Sequence, residues 1–139
     1  MKMLIMEWNP ALEVGIDEMD SDHRTLFELL VRVQDASDAD DRAEAMAVLK
    51  ELADYTQWHF AREEALMARH AYEFTAEHRE EHQRLARQVG HMMTDLDRGH
   101  IAPHDVATFL QRWLMGHIAG ADRHVGEAIA RSRQKATAG

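Results

Sequence analysis

Five histidines and two carboxylates occur at positions that four amphipathic helices would turn toward a common interior. They are His23, His59, Glu63, His78, His82, His117 and Asp122. Burying so many polar or charged groups in an apolar core is costly unless each of them finds a partner. Metal coordination supplies a partner for every group, so the pattern predicts metal ions held inside a helical bundle.

The spacing of these residues within each helix indicates two ions. His78 and His82 are four residues apart, so their rings emerge from one side of a helix and can bind the same ion. His59 and Glu63 have the same spacing, but the two oxygens of a carboxylate can span to a second ion. Glu63 is therefore the first predicted bridge.

His117 and Asp122 have a less regular spacing. They are five residues apart, which separates them by about 140° on an ideal helix, so they could not share a face. Gly116 and Gly120 fall in the same segment. We therefore predict a local widening of this helix that rotates Asp122 inward as the second bridge.

A count of bonds leaves room for one further ligand. Two six-coordinate ions need about twelve bonds. Five histidines supply five bonds, two bridging carboxylates supply four, and a bridging oxide or hydroxide would supply two more. The remaining open position, on a redox-capable metal, suits a small neutral molecule such as dioxygen. Iron fits better than zinc, because zinc usually takes four ligands and has no redox chemistry.

The dioxygen pocket is predicted to have apolar walls. The candidates are Phe60, Leu114 and Ile118, each of which is adjacent to a predicted ligand or one helical turn from one.

Four helices must position these residues, and an all-α protein is predicted. Apolar residues recur with helical periodicity in four segments, and no strand-like alternation of useful length occurs. The helices are expected to begin between Asp17 and Ser21, after Asp41, after Thr75 and at Pro103. Short connections predict an antiparallel up-down-up-down four-helix bundle. Antiparallel packing would bring the ligands of all four helices to one level.

The chain is expected to form a single domain over residues 1–139. An irregular N-terminal arm is predicted over 1–16, the bundle over about 17–131, and a frayed tail over 132–139.

Composition excludes several other kinds of site and partner. Cysteine is absent, which excludes disulfides, thiolate metal sites and iron-sulfur clusters. The net charge of −9 opposes binding to nucleic acid or to anionic membranes. The apolar run Met3–Met6 is too short for a signal peptide or a membrane span. We expect a cytoplasmic monomer, and the sequence identifies no partner protein for delivery.

Short motifs surround the seven candidate ligands. They are Val14-Gly15-Ile16 with Asp20-Ser21-Asp22-His23, His59-Phe60-Ala61-Arg62-Glu63-Glu64, His78-Arg79-Glu80-Glu81-His82, and His117-Ile118-Ala119-Gly120-Ala121-Asp122. Through these motifs, in this order, the chain resembles the bacteriohemerythrins over nearly its full length. These are bacterial relatives of the oxygen carriers of invertebrates.

The resemblance implies a non-heme centre of two iron ions, Fe2+ or Fe3+, joined by a bridging oxide or hydroxide. In it, one iron is bound by His78, His82 and His117, the other by His23 and His59, and both by Glu63 and Asp122. Dioxygen would bind reversibly at the iron that holds two histidines. The protein would then be an oxygen carrier, storage or delivery protein rather than an enzyme, with at most a weak peroxidase-like side activity.

Two alternative functions use the same ligands. A di-iron enzyme that reduces peroxide, oxygen or nitric oxide would differ in pocket access and electron supply. An oxygen or iron sensor would need a signalling partner. A third interpretation rests on His78–His82, which matches the H-x-x-E-H signature of one class of zinc protease. It leaves the ligands on the three other helices unexplained.

Overall fold

The computed structural model describes residues 8–138 of the chain, and helices form nearly all of that part. The α-helices are α1 (Asp17–Asp38), α2 (Arg42–Arg69), α3 (Thr75–Asp97), α4 (Pro103–His117) and α5 (Arg123–Ala138). A π-helical segment, Ile118–Asp122, joins α4 directly to α5, so these two form one long rod. With α1, α2 and α3, this rod forms the predicted four-helix bundle, and no strand occurs among the described residues.

The N-terminal arm lies against the bundle over residues 8–16, while residues 1–7 of the predicted arm are outside the described part. Leu12, Val14 and Ile16 are buried. The Asp20 carboxylate accepts hydrogen bonds from the backbone N–H groups of Val14 (2.8 Å) and Gly15 (3.2 Å). The arm is therefore held by apolar burial and by a carboxylate in the first turn of α1.

The predicted signals for helix starts are only partly confirmed. Asp41 caps α2, because its carboxylate accepts a hydrogen bond from the backbone N–H of Glu44 (3.0 Å). Thr75 does not cap α3, because it is the first helical residue and its hydroxyl donates to the carbonyl of Tyr72 (2.6 Å). Helix α1 begins at Asp17 with no side-chain cap.

The tail that the sequence predicts to fray, over 132–139, continues helix α5 as far as the structure describes it, to Ala138. The Ser132 hydroxyl lies 2.9 Å from Nδ1 of His70, the C-cap residue of α2, and Arg133 donates to Glu18 on α1 at 2.7 Å. These contacts hold α5 at residues 132 and 133, and they link residues too far apart in the chain for local periodicity to reveal them.

Two apolar clusters fill the bundle, one on either side of the level at which the seven predicted metal ligands lie. The bundle cluster comprises Leu29, Leu30, Val33, Val48, Leu49, Leu52, Phe60, Leu85, Val89, Leu96, Val106, Ala107 and Leu110. The arm cluster comprises Leu12, Val14, Ile16, Met19, Phe27, Leu66, Met67, Ile118, Val125 and Ile129. No helix within residues 8–138 is both long enough and apolar enough to cross a membrane.

Candidate metal centre

All seven predicted ligands come together in one buried layer between the two apolar clusters. None of these residues is more than 5% exposed. Helix α1 contributes His23, α2 contributes His59 and Glu63, α3 contributes His78 and His82, and the fourth rod contributes His117 and Asp122.

The predicted widening of the fourth helix is confirmed. Residues Ile118–Asp122 are π-helical, and Asp122 is buried with Oδ1 at 3.0 Å from His117 Nε2. A Cβ added at Gly116 or Gly120 would meet nothing within 4 Å. These glycines therefore favour the widening through their weak helix propensity and not because space requires them.

The larger set of donors is called the three-imidazole half. It comprises His78, His82, His117, Glu63 and Asp122, whose ligand atoms lie within 4.8 Å of one another. Glu63 Oε1 is 2.5 Å from His78 Nε2 and 3.3 Å from His82 Nε2. Asp122 Oδ1 is 3.1 Å from His78 Nε2. Three imidazoles and one oxygen from each carboxylate thus face a common point.

The smaller set, the two-imidazole half, lies on the other side of the same carboxylates. It comprises His23, His59, Glu63 and Asp122. Here Glu63 presents Oε2, at 3.1 Å from His59 Nε2, and Asp122 presents Oδ2, at 3.0 Å from His23 Nε2. Each carboxylate directs one oxygen to each half, which is the arrangement required of a bridge between two ions.

Three carboxylates outside the seven-residue layer, called the outer carboxylates, each accept a hydrogen bond from the Nδ1 atom of a layer histidine. The pairs are Asp22 with His59 (2.9 Å), Glu64 with His82 (3.0 Å) and Glu81 with His117 (2.7 Å). A carboxylate at Nδ1 holds the proton there and leaves the Nε2 lone pair directed inward, the orientation that a metal ligand needs.

Sequence reasoning missed this role of the outer carboxylates. The Glu64 side chain is only 22% exposed and contacts His82 on the neighbouring helix. Glu81 bonds to His117 on the fourth rod. Both contacts cross between helices, so helical periodicity within one segment carries no signal of them.

Several buried atoms at the centre make no hydrogen bond among the described residues. They are both ring nitrogens of His23, Glu63 Oε2 and Asp122 Oδ1. Opposing nitrogen and oxygen atoms are close, but not with hydrogen-bonding geometry. Unpartnered buried donors are costly, and nitrogen and oxygen atoms that converge on a point fit a divalent or trivalent cation.

The carboxylates dominate the electrostatics of this layer. Burial disfavours protonation, but the carboxylates of Asp122 and Glu63 outweigh it and raise the pKa of His23 and of His78 to about 9. The pKa of His117 rises to about 10, again against burial, because of Asp122 and Glu81. Burial would raise the pKa of Glu63, yet its close contacts with the surrounding imidazoles, His23, His59, His78 and His82, lower it well below its usual range. The layer therefore attracts positive charge strongly.

Aromatic rings fix two imidazoles of the three-imidazole half. Phe60 stacks on His82 with ring centroids 3.6 Å apart and an angle of 3° between the planes. Trp113 stacks on His117 at 4.3 Å and 17°. These contacts restrict rotation of the rings independently of the outer carboxylates.

The three predicted pocket walls lie close to the layer but do not border a single cavity. Phe60 borders a cavity of about 110 Å³ between α2 and α3. Leu114 borders a smaller interior cavity of about 20 Å³. Ile118 is fully buried in the arm cluster and borders neither of these cavities.

Comparisons with known proteins relate the chain to one family. A family model described as the hemerythrin HHE cation binding domain matches residues 14–129. A bacteriohemerythrin from Stenotrophomonas maltophilia is 33% identical over 127 residues, covering 91% of this chain and 83% of that protein. A myohemerythrin from Riftia pachyptila is 31% identical over 115 residues, covering 83% of this chain and 86% of that protein. The crystal structure of a wild-type hemerythrin superposes with a TM-score of 0.83 at 26% identity, over 91% of this chain and 98% of that chain.

Proposed function

The chain belongs to the hemerythrin family, and from that premise we propose that it binds dioxygen reversibly at a di-iron centre. The observation that carries the proposal is the division of the buried layer into two donor sets that share both carboxylates. A non-heme carrier that takes dioxygen to the peroxide level needs such a pair of sites, because the reduction uses two electrons and each ferrous ion supplies one.

In the proposed centre each residue of the layer has one position. One iron would be held by His78, His82 and His117, the other by His23 and His59, and both by Glu63 and Asp122, with an oxide or hydroxide as a further bridge. When bound, the two ferrous ions would supply the two electrons that dioxygen takes up on binding and returns on release.

The unequal halves indicate where dioxygen binds. The three-imidazole half offers five protein donors and the two-imidazole half offers four. With one additional bridge, an octahedral ion in the larger half is complete, whereas an ion in the smaller half keeps one open position. We therefore assign dioxygen binding to the side of His23 and His59.

The protein around the layer limits competing chemistry. Phe60 and Ile118 are buried and Leu114 is half-buried, and we propose that these side chains keep water from the open position. The outer carboxylates hold the imidazoles in one tautomer, so that no ligand has to reorient when dioxygen arrives.

The proposed assembly state is a monomer, supported by the net charge of −9, which causes copies of the chain to repel one another. Sedimentation of the iron-loaded protein tests this, and a stable dimer would contradict it.

Anaerobic loading with ferrous iron, followed by exposure to air, tests the function. We expect about two irons per chain and an oxo-to-iron absorption pattern that appears in air and fades when oxygen is removed, over repeated cycles. Irreversible conversion to the ferric form in the first cycle would contradict reversible binding and favour a di-iron enzyme. Glu80→Ala provides a control. Glu80 lies on α3 between His78 and His82 but is exposed, so this variant should bind and release dioxygen like the unmodified protein.

A further inference from the structure

An apolar cavity of about 110 Å³ opens at the surface between α2 and α3. Its rim includes the exposed residues Gln57, Ala86 and Gly90, and its floor includes Phe60 and Val89, which are buried. The rim is wide because Ala86 and Gly90 have small side chains or none. The floor reaches the metal layer, because Phe60 stacks on the ring of His82.

A second, interior cavity of about 20 Å³ adjoins the first. Thr56 and Leu85 border both cavities, so these side chains lie between them. The Thr56 hydroxyl donates to the carbonyl of Leu52 (2.7 Å), and the other walls are leucines and Trp113. A space of this size holds one small molecule, and apolar walls of this kind do not retain water.

The interior cavity lies one helical turn from the metal layer on every rod. The wall residues three positions from a layer histidine are Leu26, Thr56, Leu85 and Leu114, next to His23, His59, His82 and His117 respectively. A molecule in this cavity would therefore be separated from the proposed open position by a single layer of side chains.

We propose that dioxygen reaches and leaves the centre by this route, through the gap at Ala86 and Gly90 and then between Thr56 and Leu85. The inference rests on the proposed function. A second depression borders His78, a member of the three-imidazole half, for which no open position is proposed. The route between α2 and α3 instead leads to a cavity walled by Leu26 and Thr56, next to His23 and His59, and its mostly apolar walls match the chemistry of dioxygen.

Gly90→Leu tests the route by narrowing its mouth. A Cβ at Gly90 would meet nothing within 4 Å, so a side chain can be attached there without a clash at its first carbon. Ala86→Phe narrows the same gap from one turn away. Gln88→Leu is the matched control, because Gln88 is exposed on the same helix and borders neither cavity.

A barrier in the route slows passage equally in both directions. In Gly90→Leu and Ala86→Phe, the association and dissociation rates of dioxygen should therefore fall by the same factor, about threefold to tenfold, with unchanged affinity. Flash photolysis and stopped-flow mixing measure the two rates. If both variants bind and release dioxygen as fast as Gln88→Leu, the route is wrong. A change in affinity with an unchanged association rate would also contradict it.

A readout that does not depend on iron separates failure of the route from failure of the proposed function. Trp113 borders the interior cavity, and it becomes the only tryptophan in a Trp8→Phe, Trp58→Phe background. In this background loaded with zinc, which does no redox chemistry, quenching of Trp113 fluorescence by dissolved dioxygen reports access to the cavity. Gly90→Leu should lower the quenching constant relative to Gln88→Leu. Equal constants would overturn the route, whether or not the iron form binds dioxygen reversibly.

Discussion

The two halves of the metal layer differ in donors and in support. In the three-imidazole half, outer carboxylates hold His82 and His117, and aromatic rings stack on both imidazoles. In the two-imidazole half, Asp22 holds His59, but Nδ1 of His23 is buried with no hydrogen bond among the described residues.

Under the proposed function, this difference would make one half retain its ion and the other exchange its sixth ligand. An ion surrounded by many fixed donors is held tightly and has no position for a further ligand. An ion with fewer donors binds less tightly but can accept dioxygen. Under this interpretation, iron binding in both halves should weaken when a bridging carboxylate is removed. It should weaken in one half only when a histidine of that half or its outer carboxylate is changed.

The largest effect is expected from Glu63→Ala, because both halves share this carboxylate. Iron content should fall from about two to about one per chain, because the smaller half is left with three donors while the larger half keeps four. The free energy of unfolding should fall by about 3–5 kcal/mol, as is typical when one partner of a buried charged cluster is removed. Metal analysis and chemical denaturation measure both effects. A Glu63→Ala protein with two irons per chain would contradict the bridge.

A second pair of variants should separate the halves. His59→Ala leaves the smaller half with one imidazole, so it should retain about one iron per chain. His82→Ala leaves the larger half with two imidazoles, the number that the smaller half has naturally, so it should still bind about two irons at saturation. Equal iron contents in the two variants would mean that the halves do not differ as proposed. His91→Ala, a change of an exposed histidine on α3, is the control.

Smaller effects are expected from the outer carboxylates. Asp22→Asn should weaken binding in the two-imidazole half, and Glu81→Gln should weaken it in the three-imidazole half, each by about 10–100-fold. Competition with a chelator should release the two ions in two successive phases, one from each half. The phase that becomes faster in a variant identifies the half whose affinity for iron has fallen. The assignment fails if both variants change the same phase.

The smallest effect concerns pH and requires the metal-free protein. The histidines His23, His78 and His117 have pKa values raised to about 9 or 10 by the carboxylates. A raised pKa in the folded state contributes stability that is complete below the ordinary value of 6.5 and is lost as pH rises through 9 to 10. Thermal unfolding of chelator-treated protein should therefore show a Tm that falls over this range.

The iron-loaded protein should not show this fall, because the metal replaces the protons on these imidazoles. At the acidic end, the lowered pKa of Glu63 gives the opposite sign, so stability is lost as pH falls below the ordinary range of a carboxyl group. A Tm of the metal-free protein that rises from neutral pH to pH 10 would contradict the electrostatic account.

The spacing of residues within one helix predicted the features that depend on that helix alone. Four-residue spacing placed His78 and His82 on one face, and the irregular spacing of His117 and Asp122 required the π-helical segment that the structure contains. Apolar periodicity predicted the bundle for the same reason, because the period of a helix is a property of the segment itself.

Contacts between distant segments were not predictable from spacing. The bond between Glu64 and His82 depends on the rotation of α2 relative to α3. The contacts of α5 at Ser132 and Arg133 are with His70 and Glu18, which lie far away in the sequence. The predicted cap at Thr75 is wrong because its hydroxyl donates to the carbonyl of Tyr72 in the preceding turn instead.

The most direct test of the central claim is the number of dioxygen molecules bound per chain, measured together with iron content on the same sample. The account predicts about one dioxygen for about two irons, released completely on deoxygenation and taken up again in the next cycle. One iron per chain, or dioxygen that is consumed rather than released, would contradict it.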